Sequence, residues 1–403
     1  MSPLLLAAAV AATPMSREAF VAEVLAAHPS IAAARAAADA ARADAATPAP
    51  PDPMVSWSFA PASIGADDVA FGQAVDLRWR LDVGGQTRAL RAMGEASADA
   101  AAWDAEDVAV ALSATAATAW DQWWWVHEAL DLNTRHQALL AELEEAARAR
   151  LVAGMVGHAE VLGAELESAR ARLVTVTLTA QRRRLAVELQ RLRAASLSAE
   201  PPPPTPLADP SAAEPKPAAG PTAAVAGREA TLVAAQAASR AARRALAPEL
   251  EVMSSYNTMW HDPEHRWMAG LGVSVPVWWS ARRAAVDAAD AAQTAAEADR
   301  AAAALDQGAA AVSDRVDLDA AYTTWSLLRE AVLPLAHQRV DALRGAWVGG
   351  RGELGDVLMA ERDLLDAELA VRDTIVAWHA AHVAWQADAG LLPGLGTPVG
   401  GGR

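Results

Sequence analysis

The sequence predicts a mainly α-helical chain with a small membrane β part, built as a duplicated unit of two strands followed by a long helical hairpin. Three observations carry this reading. The chain is 53% hydrophobic but only 5% aromatic, because alanine supplies much of the apolar count. Alanine is the best helix former and buries little area, which favours long, closely packed helices over a thick core. The stretch VDLRWRLDV, residues 75–83, alternates strictly: Val75, Leu77, Trp79, Leu81 and Val83 against Asp76, Arg78, Arg80 and Asp82. Side chains of a strand point alternately to opposite faces, so this strand has one apolar and one charged surface. Finally, LVAGMVGHAEVLGAE from Leu151 matches WVGGRGELGDVLMAE from Trp347, with Gly154 on Gly350, Glu160 on Asp356 and Ala164-Glu165 on Ala360-Glu361. The shift is 196 residues throughout, and it also sets Leu81 on Val277. One offset at two distant sites indicates duplication.

Taken in order, residues 1–15 read as a signal peptide, with an apolar run from Pro3 to Ala12 but no basic residue ahead of it. The first repeat spans 16–199. It opens with a helix over 17–46, continues with strands over 54–59 and 71–83, and then enters a very long helix over 87–153. A glycine-containing turn leads to a returning helix over 158–195. The proline-rich segment 200–224 cannot be helix interior and reads as an extended linker. The second repeat, 225–392, has a helix over 228–246, strands over 249–256 and 267–277, a long helix over 281–348 and a returning helix over 354–389. Pro334 should kink the second long helix. Residues 393–403 read as a flexible tail.

Each long helix would run about 100 Å at ~1.5 Å per residue, too long for a compact domain and suited to hairpins in coiled-coil contact. Four strands alone leave two exposed edges. Their charged and apolar faces make sense if they join the strands of other chains in a closed barrel, with lipid outside and water inside. Asp76, Arg78, Arg80 and Asp82 would then face the lumen. No segment has the ~18 unbroken apolar residues of a membrane-spanning helix. The net charge of −16 argues against nucleic acid as a partner. With no cysteine, disulfides, thiolate metal sites and a cysteine nucleophile are excluded. No nucleophile elbow, phosphate loop or metal-protease motif is present, so neither an enzyme nor a cofactor is expected.

The sequence resembles the TolC-type outer-membrane efflux proteins. AAHPSIAAARAAADAARA (26–43) is similar to the family's opening helix, PDPMVSW to its lead-in to the first strand, and VPVWWSARRAAVDAADAA to its strand-to-helix junction. The two turn motifs are similar to its hairpin tips, with Leu151 and Trp347 where tyrosine is usual, and Gly157 and Glu353 where serine is common. The resemblance covers about residues 16–392. It implies a homotrimer whose four strands per chain form a β-barrel in outer-membrane lipid, continuous with an α-helical barrel across the periplasm. It also implies a periplasmic adaptor (membrane-fusion) protein at the tips and an inner-membrane efflux pump that supplies the energy. The chain itself would be a passive exit duct. The alternative from another class is a periplasmic structural coiled coil, or an adaptor with long helical hairpins.

Six carboxylates, Glu160, Glu165, Glu353, Asp356, Glu361 and Asp363, lie within about two turns of the hairpin ends. Threefold symmetry would turn any inward one into a ring that attracts cations, and Asp356, Glu353 and Glu160 are the candidate periplasmic gate. As ordinary helix N-terminal residues they would instead serve dipole and cap. Gly154, Gly157, Gly350 and Gly352 permit the turns and are candidate adaptor contacts. Trp123, Trp124, Trp125, Trp325, Trp378 and Trp385 fall within one band and read as a packing belt against a collar that contains the linker. His379 and His382, spaced i, i+3, lack a third ligand for a metal. His261 and His265 belong to the loop between the second pair of strands, where a surface role is expected.

Overall fold

A computed structural model describes residues 13–60, 72–212, 221–258, 263–275 and 278–392. Most of the expected signal peptide, the tail, Phe71, His261 and Val277 lie outside these residues, as does 213–220 of the linker. The chain forms eight α-helices and four strands among the described residues: α1 Arg17–Ala27, α2 Pro29–Ala45, β1 Met54–Ala60, β2 Gly72–Leu81, α3 Gln86–Val152, α4 His158–Leu192, α5 Ala223–Arg244, β3 Glu249–Asn257, β4 Trp267–Ser274, α6 Trp279–Leu327, α7 Leu333–Val348 and α8 Leu354–Asp388.

Two differences from expectation have plain causes. The opening helix is two helices, because a residue before proline is pushed out of the α region. His28, preceding Pro29, is extended at φ −71° and ψ 128° and ends α1, while Ser16 caps its start by accepting from the Ala19 N–H at 3.2 Å. The second long helix is interrupted where Pro334 foretells it, but by a five-residue π turn, Leu328–Val332, that precedes α7. Pro334 has no N–H for the carbonyl one turn back, and the wider π turn absorbs the mismatch.

The chain divides into two compact units that cut across the sequence repeats. One comprises the chain up to residue 32, 107–222 and the chain from 307 onward through α8; the other comprises 33–106 and 223–306. The first is all-helical. Its core joins Phe20, Val21 and Val24 of α1 to Trp120, Trp123 and Val126 of α3, Leu189 and Leu192 of α4 and Val383 of α8. Phe20 stacks on Trp120 with ring centroids 4.6 Å apart, so the two fully buried aromatics anchor α1 to α3.

The second unit holds all four strands in one antiparallel sheet of order β1-β2-β3-β4. Its helical part packs through small residues. A Cβ on Gly94 of α3 would lie 2.8 Å from the Ala45 Cα of α2, so only glycine admits this approach. Asp290 of α6 accepts from the Ser239 hydroxyl of α5 at 2.6 Å and pairs with Arg243 at 3.0 Å.

Candidate functional site

The sheet sorts its side chains by chemistry. Cross-strand partners place Val55, Trp57 and Phe59 of β1, Val75, Leu77, Trp79 and Leu81 of β2, Leu250, Val252 and Tyr256 of β3, and Trp267, Leu271 and Val273 of β4 on one face. Two polar residues share this face, Ser254, paired with Leu77 and Ala269, and Gln73, paired with Phe59 at its end. The face is uncovered: Leu271 is 74% and Val273 62% exposed. One cross-strand row reads Trp57, Val75, Tyr256, Trp267, with the Tyr256 and Trp267 rings 4.9 Å apart. From that row to the row of Leu81, Leu250 and Val273 is about 20 Å along the strands at ~3.4 Å per residue, close to the ~25 Å apolar band of an outer-membrane barrel with its aromatic girdle.

The opposite face carries Ser56, Asp76, Arg78, Arg80, Glu249, Glu251 and Ser255, interspersed with Met54, Met253 and Met268. Arg80 lies 3.9 Å from Glu249, and the Ser56 hydroxyl 3.5 Å from Asp76. Asp82, expected on this face, is not in the strand. Its carboxylate accepts from the backbone N–H groups of Gln86 at 2.8 Å and Thr87 at 2.7 Å, and so caps α3. A chain turning from strand into helix has orphan amides to satisfy, and Asp82 is the acceptor within reach. Among the described residues β1 and β4 end the sheet, and no further strand pairs with either of its two edges.

In the all-helical unit, the hairpin tips are superposable in kind. Gly154 has φ +71° and Gly350 φ +69°. The Met155 N–H reaches the Arg150 carbonyl, and the Arg351 N–H the Ala346 carbonyl, each at 2.9 Å. Both are Schellman closures whose left-handed residue is glycine. Gly157 precedes α4 without steric need, whereas a Cβ on Gly352 would meet the Ala346 Cβ and Trp347 N at 3.2 Å. Below the tips, Leu140, Leu143 and Ala147 of α3 pack with Val161 and Ala164 of α4, Trp347 of α7 and Leu354, Val357 and Leu358 of α8.

The six tip carboxylates divide into two groups. Glu165 pairs with Arg148 at 2.8 Å, Asp363 with Arg339, and the buried Glu361 with Arg344 at 2.5 Å. Burial raises the Glu361 carboxyl against the pull of Arg344. These three tie a returning helix to its long helix. Glu160, Glu353 and Asp356 make no ion pair among the described residues. Glu353 is the cap residue of α8 but makes no side-chain cap bond, Asp356 is exposed in its first turn, and one buried oxygen of Glu160 lacks a partner.

No protein-family model and no curated protein matches the sequence. Solved structures do match the fold. CusC, described in terms of folding and transmembrane channel formation, has a TM-score of 0.79 at 16% identity, over 94% of this chain and 93% of its own. The outer membrane protein VceC of Vibrio cholerae has a TM-score of 0.77 at 15% identity, over 93% of this chain and 96% of its own. The outer membrane channel MtrE of Neisseria gonorrhoeae, in its open state, has a TM-score of 0.73 at 18% identity, over 93% of this chain and 89% of its own. The chain has the fold of TolC-type outer-membrane channels.

Within this channel fold, the tryptophans of the expected belt are packing residues, but they fall in three clusters, Trp123 in one, Trp124, Trp125 and Trp325 in a second, and Trp378 with Trp385 in a third, and part of the linker joins the second. Leu207 joins Trp124, Trp125, Trp325, Val371, Ile375 and Val376 in one cluster, and the Trp123 indole donates to the Pro202 carbonyl at 3.1 Å. His382 is stacked between Trp378 and Trp385, and both ring nitrogens of His379 are taken by hydrogen bonds. No group of three metal-ligating side chains occurs among the described residues.

Sequence reasoning missed Arg150. From the end of α3 its guanidinium donates to the carbonyls of Trp347 at 2.7 Å and Val348 at 3.0 Å, and it lies 4.2 Å above the Trp347 ring. One hairpin thus caps the C-terminus of the other's long helix, the negative end of its dipole. A basic residue in the last turn of α3 was the only signal, and it points equally to its own helix.

Proposed function

We propose that the chain is a passive outer-membrane exit duct, closed as a homotrimer and fed from an inner-membrane pump through a periplasmic adaptor. The observation that carries this reading is the sheet. A four-stranded sheet with one uncovered apolar face, one charged face and two open edges cannot be a finished soluble structure. Joining β4 of one copy to β1 of the next closes the edges. The apolar face then meets lipid, and Asp76, Arg78 and Arg80 line water. The uncovered apolar face of the strands is what suits them to cross the membrane; no helix among the described residues is long and apolar enough to do so. Gly154, Gly157 and Gly350, which are exposed, and the half-buried Gly352 are the tip backbone available to the adaptor. Asp356, Glu353 and Glu160, left without arginine partners, are the groups available for a carboxylate ring that narrows and selects at the periplasmic end.

Mass measurement of detergent-solubilised protein tests the assembly: three chains per particle are expected. A stable monomer that stays soluble without detergent would overturn the duct and favour a periplasmic coiled-coil role.

A further inference from the structure

We propose that residues 199–209 are a strap that clasps the two helical hairpins together, and that the neutral imidazole of His379 is a pin which acid removes. The inference concerns the all-helical unit alone and stands whether or not the duct reading holds.

The strap is held along its whole length. At its start, Gln190 of α4 donates to the Ala199 carbonyl at 3.2 Å, and Arg182 of α4 pairs with Glu200 at 2.8 Å. In the middle, the backbone of Met15 bonds to Pro203 and Thr205 at 3.0 Å each, and Trp123 of α3 donates to Pro202. Past that point the strap crosses to the second hairpin. Leu207 packs against Val371 and Ile375 of α8, His379 of α8 meets the Ala208 carbonyl at 2.9 Å, and Arg329 of the π turn pairs with Asp209. The carbonyls of Ala199, Pro202, Pro203 and Ala208 make this possible. A polyproline-like segment forms no internal hydrogen bonds, so its carbonyls are free to be gripped.

The pin is fixed by donor and acceptor logic. Arg17 has only donors, so His379 Nδ1, 3.0 Å from the Arg17 guanidinium, must accept and carry no proton. Nε2 therefore carries the hydrogen and donates to Ala208. Only this neutral tautomer satisfies both neighbours. A second proton would set an imidazolium N–H against a guanidinium inside a buried site. The other titratable groups here are Glu18 of α1, 3.6 Å from Arg17; Asp121 of α3, wholly buried and 3.4 Å from Arg17; His382 of α8; and Asp209, engaged by Arg329.

Burial, with Arg17 and His382 adding to it against the Ala208 carbonyl, pushes His379 down to about 4. Burial pushes Asp121 up to about 7 against the attraction of Arg17. The linkage signs oppose each other. Between an unfolded value of 6.5 and about 4, the unfolded chain holds the His379 proton and the folded chain does not, so stability falls as pH falls. Between about 7 and 3.8 the folded chain holds the Asp121 proton and the unfolded chain does not, so stability rises as pH falls. A melting temperature therefore blurs the two, and the strap itself must be read.

The measurement is hydrogen exchange of the amides whose hydrogen bonds hold the strap, Thr205 N–H on the Met15 carbonyl and Met15 N–H on the Pro203 carbonyl, in the full chain in detergent. It is corrected for intrinsic pH dependence and run from about pH 7 to about pH 3.5. Wild type should lose about tenfold or more in strap protection with a midpoint near 4. His379→Gln and His379→Asn, which keep polar groups at the ring positions but do not titrate, should show no such step, whatever their starting protection. A wild-type strap that stays protected throughout, or an equal step in both variants, would overturn the assignment.

Discussion

Arg150→Ala should loosen the tip of the second hairpin without unfolding the chain. The side chain makes two charge-assisted bonds to carbonyls, at 2.7 and 3.0 Å, and a cation–π contact at 4.2 Å. Hydrogen bonds to charged groups contribute about 1.5–3 kcal/mol each and an exposed cation–π contact about 0.5–1 kcal/mol. Arg150 is half-buried, and the freed carbonyls of α7 can turn to water, so even the low end of the sum, about 3.5 kcal/mol, is discounted further. A net loss of about 2 kcal/mol remains, a ~30-fold rise in local opening. Hydrogen exchange at Gly350 and Arg351, whose N–H groups close the turn onto Trp347 and Ala346, reads this directly. Arg150→Lys keeps the charge but loses the planar fork, and should fall between wild type and alanine. Unchanged exchange at these amides in Arg150→Ala would refute the idea that the first hairpin holds the second closed.

Three further outcomes are expected. Leu77→Arg, on the apolar face, should impair assembly by roughly 2–4 kcal/mol near the bilayer midplane, whereas Arg78→Leu should assemble and alter conductance; equal yields of detergent-stable oligomer would show the faces to be misassigned. A trivalent cation added on the periplasmic side should block single-channel current, and Asp356→Asn, Glu353→Gln or Glu160→Gln should relieve that block; if none does, these residues only end helices. Asp314, raised to about 6 by burial and by the neighbouring Asp388 carboxyl, is more costly to ionise in the folded chain than in the unfolded one. Asp314→Asn should therefore melt higher than wild type at neutral pH, with the advantage shrinking as pH falls through about 6 toward 3.8 and wild type regains its proton.

What was legible in the sequence is what repeats or alternates. Gly154 and Gly350 mark the two tips because left-handed backbone needs glycine, and residue-type matching finds such positions. Val75 to Leu81 announce a two-faced strand, and the cross-strand partners carry that pattern over all four strands. Local backbone chemistry was partly legible: the proline at position 29 was there to be read as a helix break, and Asp82, four residues before the first N–H it accepts from, as a cap rather than a strand residue. Contacts to distant backbone were not legible. The partners of Arg150 are carbonyls 197 and 198 residues away, and those of Trp123 and His379 are carbonyls of a proline-rich stretch. Every residue has a carbonyl, so such acceptors leave no mark in the sequence. The extended linker was foreseen as extended, but its grip on the hairpins was not.

The central claim is that β2 crosses a bilayer with one face in lipid and the other in water. The chain has no cysteine, so single cysteines can be placed in turn at Val75, Asp76, Leu77, Arg78, Trp79 and Arg80 and reconstituted in liposomes. A water-soluble thiol reagent should label the variants at Asp76, Arg78 and Arg80 quickly and those at Val75, Leu77 and Trp79 slowly, a period of two along the strand. Uniform labelling at all six positions would contradict the account.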